Sequence, residues 1–444
     1  MERQTNVQTG RDTLKTIGRH IIPFAFILYF FNYMDRVNIG FAALQMNVDL
    51  GISSVQFGQL ASVFFISYLV CQIPSNMMIQ KLGARRWIGF ILIAWGGVTT
   101  LLFFAQSFEH LMVARLLLGV FEAGFFPGMI YYLACWFPAK ERARVTALFM
   151  MAIAVSSVVA APMSGWIIQH ANFFDHAGWR WLFAIEGIPT VLLGVLTFYV
   201  LYDRPQDAPW LTDKQKSWLI AELNTETQGQ SACNSMTFWQ IIRNPILWRL
   251  SFVYMFVQAA SQASNYWLPG QVKGFAPGLT DTHVGLIMAV PFLCAMFAMP
   301  LWGAHSDKQG ERKFHAALPM LLAGAAFLVI ATAFLVIATA DSMSIRMFGM
   351  VLFGVGILSY YGPFWAIPSM LLSPAGLAIS IAVINSCSSL GGFFANLGLG
   401  YVAKSYGSYG VFVVEAILCV ISSVLLITMR IPRVKAKTDQ AVTA

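Results

Sequence analysis

Asn76-Met-Met-Ile-Gln80-Lys81-Leu-Gly83-Ala-Arg85-Arg86 and Gly303-Ala-His-Ser-Asp307-Lys308-Gln-Gly310-Glu-Arg312-Lys313 read as two copies of one turn, 227 residues apart. Each copy places a glycine two residues ahead of a basic pair, and each lies between two long apolar runs. Glycine ends a helix because it tolerates the left-handed backbone, and basic residues hold such a loop on one side of a membrane. Two more registers extend the repeat. Pro127 and Pro138 recur as Pro363 and Pro374 at an offset of 236. Gly178-Trp-Arg-Trp-Leu-Phe183-Ala-Ile-Glu186 is echoed by Gly407-Ser-Tyr-Gly-Val-Phe412-Val-Val-Glu415. Three coincidences in register imply a duplicated half, the architecture in which a midplane site opens alternately to either side.

Working outward from these turns, segments long enough for a bilayer crossing, about 20 mostly apolar residues, number twelve. They fall near 21–44, 57–79, 87–106, 110–135, 145–168, 180–202, 246–268, 283–304, 315–339, 344–372, 376–402 and 409–430. The predicted fold is an all-α polytopic membrane protein, with twelve transmembrane helices in two pseudo-symmetric six-helix bundles. The predicted organisation is an N-terminal tail (1–20), a first bundle (21–202), an interbundle loop (203–245), a second bundle (246–430) and a C-terminal tail (431–444). Composition agrees. Of 444 residues, 58% are hydrophobic and 11% charged, whereas a soluble domain carries roughly a quarter of its residues as charges. Too few charges exist to cover a water-facing surface, so the lipid bilayer is the expected surroundings.

The net charge of +8 marks orientation, not a nucleic-acid partner. Of 28 Lys and Arg, 22 fall in the tails and loops on the side of the N-terminus, and four (Arg180, Lys273, Arg346, Lys404) on the other. That bias places both termini in the cytoplasm of a multi-pass inner-membrane protein. Residues 1–20 are polar and show no cleavable signal peptide. Five of the six cysteines lie in apolar runs and read as small buried hydrophobes. Phe327–Ala333 is repeated letter for letter as Phe334–Ala340, which reads as a lipid-facing helix.

Six ionisable residues lie inside predicted spans: Asp35, Arg36, Arg115, Glu122, Glu186 and Glu415. Such groups are costly in lipid and mark function by default. Glu186 and Glu415 are repeat partners and read as scaffold, Glu186 with Arg180 as a candidate partner. Asp35 and Glu122 break the symmetry, their counterparts being Gln262 and Leu358. Asp35 beside Arg36, and Arg115 two helical turns before Glu122, present acid–guanidinium pairs in which a proton and an anion compete for one partner. Polar stripes accompany them. The first span carries Tyr29, Asn32, Tyr33 and Arg36; the seventh carries Tyr254, Gln258, Ser261, Gln262 and Asn265; the eleventh carries Asn385, Ser388, Ser389 and Asn396. Stripes of this kind either glue helices or face water. Tyr360, Tyr361 and Trp365 add an aromatic group. Every histidine falls at a loop or span end, leaving no midplane base or metal cluster for an enzyme.

The two glycine–basic turns resemble the signature of the major facilitator superfamily. Asp35-Arg36-Val-Asn38, Gln72-Ile-Pro74-Ser-Asn76, Arg115…Gly119-Val-Phe-Glu122, Tyr266-Trp267-Leu-Pro269 and Gly362-Pro363-Phe-Trp365-Ala-Ile-Pro368 are similar to its anion:cation symporter branch. That branch includes carriers of sugar acids, tartrate, phthalate and hydroxyphenylacetate. The resemblance implies proton binding at Asp35 and Glu122, the substrate carboxylate at Arg36, and pocket positions at Tyr33, Tyr68, Trp365 and Asn385. To these the polar stripe of the seventh span adds Gln258, Gln262 and Asn265. Organising or gating roles fall to Arg115 and to Gly83, Arg85, Arg86, Asp307, Gly310 and Arg312. Gln80 stands where many members carry the aspartate kept at Asp307, so weaker contacts are expected at the first turn. The fifth span lacks the glutamine that sugar-acid members tend to carry, which favours a less hydroxylated acid. The expected function is proton-driven uptake of a small organic carboxylate by a functional monomer, with H+ as coupling ion and no cofactor or metal. An organic-anion exchanger or efflux antiporter of the same fold is the alternative.

Overall fold

The computed structural model describes residues 2–230, 237–275, 278–335, 340–373 and 376–432, and all regular elements among them are helical. Expectations for Pro374, Cys233, Arg433, Lys435, Lys437 and most of the second Phe-Leu-Val-Ile-Ala-Thr-Ala copy lie outside the described residues. In chain order the helices are α1 (Glu2–Asp49), α2 (Ser54–Leu82), α3 (Ala84–Leu101), α4 (Phe108–Glu122), α5 (Phe125–Trp136), α6 (Ala139–His170) and α7 (Gly178–Val200). After them come α8 (Asp213–Gln230), α9 (Phe238–Ile242), α10 (Pro245–Lys273), α11 (Asp281–Gln309), α12 (Lys313–Leu335), α13 (Ala340–Ser359), α14 (Tyr361–Leu371) and α15 (Leu377–Ile427).

Ten helical stretches among the described residues are long and apolar enough to cross a membrane. The polar stripe of α10 keeps that 29-residue helix out of the ten, and α15 holds two crossings joined at Gly407, φ 60°. Counting α10 and both arms of α15 gives the expected twelve. Helices are forced here, because lipid offers no partner to an unpaired backbone N–H or C=O.

The duplicated prolines mark a duplicated break. The fourth crossing divides into α4 and α5 at Ala123–Gly124, and the tenth into α13 and α14 at Tyr360, 236 residues after Gly124. Pro127 and Pro363 each stand three residues beyond, where a missing N–H weakens the first turn of the second piece least. Both pieces end on an extended residue, Phe137 (φ −124°) and Leu372 (φ −108°). At Gly124 the backbone passes so close to Ser75 that a Cβ would stand 1.8 Å from its Oγ.

The chain forms two compact units. One comprises Met1–Arg36, Ser67–Ser156 and Arg180–Asn234; the other comprises Val37–Ile66, Ser157–Trp179 and Ser235–Ala444. They interleave along the sequence. The first unit is filled by Trp95, Phe125, Tyr132, Trp136 and Phe149, with Tyr29 stacked on Phe149 at 4.4 Å. In the second unit α6 meets α11 backbone to backbone, since a Cβ on Gly165 would stand 2.4 Å from Asp281 O and one on Gly285 2.3 Å from Ala161 O. Small residues permit that approach, the usual device of packed membrane helices. Phe327 in the second unit is fully buried against Phe353 (4.7 Å). The lipid-facing reading of the first heptad copy is therefore corrected: Phe327, Ile330 and Ala331 fill the core, while Leu328 and Thr332 are exposed.

Candidate functional site

The charged group of the first unit is built on α1, α2, α3, α4 and α7. Successive residues of α1 point to different neighbours, about 100° apart around the helix, and this separates Asp35 from Arg36. Arg36 donates from Nε to Glu122 Oε2 at 2.9 Å, and Asn32, one turn earlier, donates Nδ2 to the same oxygen at 3.2 Å. The Arg36 guanidinium also lies over the Tyr68 ring, 4.9 Å from its centroid. Asp35 faces away: its Oδ2 accepts from Trp95 Nε1 at 2.7 Å and from Thr190 Oγ1 at 3.1 Å, while its Oδ1 has no partner among the described residues. The sequence expectation of an Asp35–Arg36 partnership is corrected by this geometry. Adjacent residues on a helix do not face each other, and Glu122 takes the arginine instead.

Exposure within the pair is uneven. The Arg36 side chain is 28% exposed and that of Glu122 only 2%. Arg115, on the same helix as Glu122, is 2% exposed and acts on Glu122 electrostatically; Glu122 in turn acts on Asp35. One guanidinium is thus directly bonded to a carboxylate that is coupled to a second, separately hydrogen-bonded carboxylate. Tyr33 is half-buried on α1.

The second unit carries a neutral polar group. Gln258 on α10 accepts through Oε1 from both Tyr360 (2.8 Å) and Tyr361 (2.7 Å), whose rings stack at 4.5 Å. Trp365 stands edge-on to Tyr254 at 4.9 Å, and Tyr254 stacks on Phe364 at 5.2 Å. Gln262 donates to Ser388 O at 3.3 Å, tying α10 to α15. Asn265 and Asn385 are half-buried on those same helices. Asn396 leaves the stripe: it is fully buried and accepts from Trp267 Nε1 at 3.1 Å, so it serves as helix glue.

Glu415 accepts from Ser264 Oγ at 3.1 Å, leaving Oε2 without a partner among the described residues. Arg180 donates to the carbonyls of Phe103 (3.0 Å) and Ala105 (2.5 Å), where α3 runs out.

The two basic turns are closed differently. Gly83 (φ 86°) and Gly310 (φ 63°) both adopt the left-handed backbone the sequence requires. At the second turn Arg312 pairs with Asp307 at 2.5 Å and donates to Ser306 Oγ at 3.0 Å. At the first turn the carboxylate comes from Asp203, just past α7, whose Oδ1 accepts the Arg85 N–H at 2.8 Å. Arg85 Nε donates to Phe198 O at 2.6 Å, and Arg86 is exposed. The weaker contacts expected from Gln80 are thus offset by a residue 118 positions beyond Arg85 that no local pattern identifies. Trp95 and Thr190 were also missed. Neither belongs to a polar stripe, and only the fold sets them beside Asp35.

The family model described as Major Facilitator Superfamily matches residues 25–396 and again 278–443. A protein of Agrobacterium vitis named "Putative tartrate transporter" is 41% identical, covering 94% of this chain and 94% of its own. "Inner membrane transport protein RhmT" of Escherichia coli is 33% identical over 95% of this chain and 96% of its own. Among solved structures, the inward open xylose transporter XylE of E. coli is similar in fold, with TM-score 0.75 and 16% identity over 94% of this chain and 97% of that one.

Proposed function

From the premise that this chain belongs to the Major Facilitator Superfamily, a multi-pass membrane transporter and not an enzyme, we propose that it takes up a small organic carboxylate together with protons. The observation that carries this reading is the Arg36–Glu122 pair, in which the cation is the exposed member and the carboxylate the buried one. A substrate carboxylate reaching Arg36 competes with Glu122 for the same guanidinium. A proton on Glu122 removes the competing charge and lets the anion take the bidentate geometry arginine offers. When the anion leaves, Glu122 ionises again and recovers Arg36. Asp35, coupled to Glu122 yet bonded to Trp95 and Thr190, serves as the second proton carrier.

Arg36, Tyr33 and Tyr68 are assigned to the anionic end of the substrate. Gln258, Gln262, Asn265, Trp365 and Asn385 are assigned to its uncharged part. Arg115 holds Glu122 in place. The turns at Gly83, Arg85 and Arg86 and at Asp307, Gly310 and Arg312 guide the movement of bundles 21–202 and 246–430 during alternating access. The basic loops face the cytoplasm, both termini included, in the inner membrane, and the protein acts as a monomer. The relative named for tartrate turns the choice towards a hydroxylated carboxylic acid, against the less hydroxylated one expected from the fifth span. With two protons per monoanion, the cycle moves net charge and draws about 2.3 kcal/mol per charge from each 100 mV of potential.

The test is uptake into proteoliposomes under an imposed pH gradient, with tartrate, an aromatic acid and an aldonic acid offered separately. Accumulation of one of them that collapses with a protonophore is expected. Glu122→Gln and Asp35→Asn should retain substrate exchange but lose gradient-driven accumulation. Full accumulation by either variant would refute the coupling scheme, and counter-substrate dependence without a proton requirement would identify the exchanger instead.

A further inference from the structure

Beyond the transport residues, a cavity of about 790 Å³ lies at the basic-loop end of the first unit, between the start of α1 and the chain from Phe137 to Leu148. A volume of this order is typical of a ligand site. Its walls are held apart. On another side of α1, His20 stacks on Trp210 at 4.5 Å, and Trp218 packs so closely on Gly10 that a Cβ there would stand 2.6 Å from the ring. Trp210 in turn stacks on Trp136 at the end of α5. The polar first turns of α1 are therefore clamped to the rest of the unit by rings from the segment after α7, and the space beside them persists.

The lining has two characters. Arg11, Lys15 and Arg144 present three cations, none with a hydrogen-bond or ion-pair partner among the described residues. The nearby Arg142 is instead used on the carbonyls of Phe137 and Ala134. Asp12 and Glu141 add two carboxylates, of which Asp12 has one long contact, 3.4 Å, from Gln8. Ile22, Val145 and Leu148 form the apolar side. That side continues along α6, where Leu148 (37% exposed) is followed one turn later by Met151 (52%). The cavity thus straddles the level at which α1 turns from polar to apolar, which is where a bilayer's headgroups lie.

We propose that this cavity binds one membrane phospholipid, its phosphodiester on Arg11, Lys15 and Arg144 and its acyl chains along Leu148 and Met151. Basic pockets between helices at the membrane face take lipid headgroups in this way. The two carboxylates refine the choice. They require hydrogen-bond donors on the ligand, so the headgroup carries an ammonium or hydroxyl group, as phosphoethanolamine and phosphoglycerol do and phosphocholine does not. A free phosphate would meet the cations but leave both carboxylates and the apolar flank unmatched.

Native mass spectrometry of the delipidated full chain, with dioleoyl phosphatidylethanolamine, phosphatidylglycerol or phosphatidylcholine added at equal concentration, tests this directly. One bound molecule of either donor-bearing lipid is expected, at least tenfold preferred over phosphatidylcholine. The triple variant Arg11→Gln/Lys15→Gln/Arg144→Gln should lose that binding tenfold or more. Asp12→Asn/Glu141→Gln should retain a lipid but lose the preference over phosphatidylcholine, so a folded protein reports even if the triple variant does not fold. Equal occupancy by all three lipids, or unchanged binding in the triple variant, overturns the proposal. So does displacement of the lipid by millimolar inorganic phosphate, which would identify a soluble-anion site. Transport is not the readout, so failure here leaves the carboxylate scheme standing.

Discussion

Two halves descended from one repeat have diverged in charge. Where the first unit sets Asp35, Arg36 and Glu122, the second sets Gln258 between two tyrosines and Gln262 on a backbone carbonyl. Asp35 corresponds by register to Gln262, and Glu122 to Leu358. A scaffold needs the same packing in both halves, but ion coupling needs a titratable group in only one. Under the proposed scheme proton coupling falls to the first unit, through Asp35 and Glu122, while the second offers the substrate neutral dipoles. Arg36→Ala breaks the comparison most severely. It leaves Glu122 buried with Asn32 as its remaining direct donor, and stranding a buried charge costs about 3–5 kcal/mol. Uptake should fall by at least roughly 100-fold at any external pH, given about 1.4 kcal/mol per tenfold. Arg36→Lys should recover little, because an ammonium lacks the planar fork. Uptake within tenfold of wild type for either variant would show that the pair is only a strut.

Asp35→Asn separates coupling from structure. The asparagine carbonyl can still accept from Trp95 and Thr190, so the melting temperature in detergent should stay within about 2 °C of wild type, the scale of a small free-energy change in a large protein. The pH dependence of uptake should flatten nonetheless. On the neutral side Gln258→Leu removes the acceptor shared by two phenols without adding a charge problem. Its cost is that of buried unsatisfied hydroxyls, about 1–3 kcal/mol, and it should appear as a KM raised roughly tenfold with proton dependence intact. If Gln258→Leu altered the pH profile as Asp35→Asn does, the proposed division between the units would be wrong.

How much of this was legible beforehand depends on the range of the signal. Span count, the duplicated break at Gly124 and Tyr360 and the glycine turns were written in local pattern, because lipid imposes helix length and the repeat displays each break twice. Candidate residues were legible by type, since a carboxylate in an apolar run has few structural reasons to be there. Partners were not. Asp35 and Arg36 adjoin in sequence but diverge in space, while Glu122 reaches Arg36 across 86 positions and Thr190 reaches Asp35 across 155. Periodicity orders residues along one helix and is silent about which helix packs beside it.

The two basic turns sharpen the comparison at the smallest scale, because their acids come from different places. At the first, Asp203 arrives from beyond α7, so Asp203→Asn should loosen a tertiary contact. A drop of a few degrees in melting temperature is expected, for a loss of about 1–3 kcal/mol from a charge-assisted bond. At the second, Glu311 works locally. Burial raises its pKa, but the N–H groups of Phe314 and His315 and the His315 ring outweigh that and hold it below the ordinary 4.5. A folded pKa below the unfolded one stabilises the turn above pH 4.5, and that support is lost as pH falls through the lower folded value. Glu311→Gln should therefore melt below wild type at pH 7 by at most about 2 °C, since glutamine keeps an acceptor at the helix start. The gap should close as the pH is taken below 4.5. A gap that stays constant down to pH 4 would mean that the charge of the Glu311 carboxylate contributes nothing to the second turn.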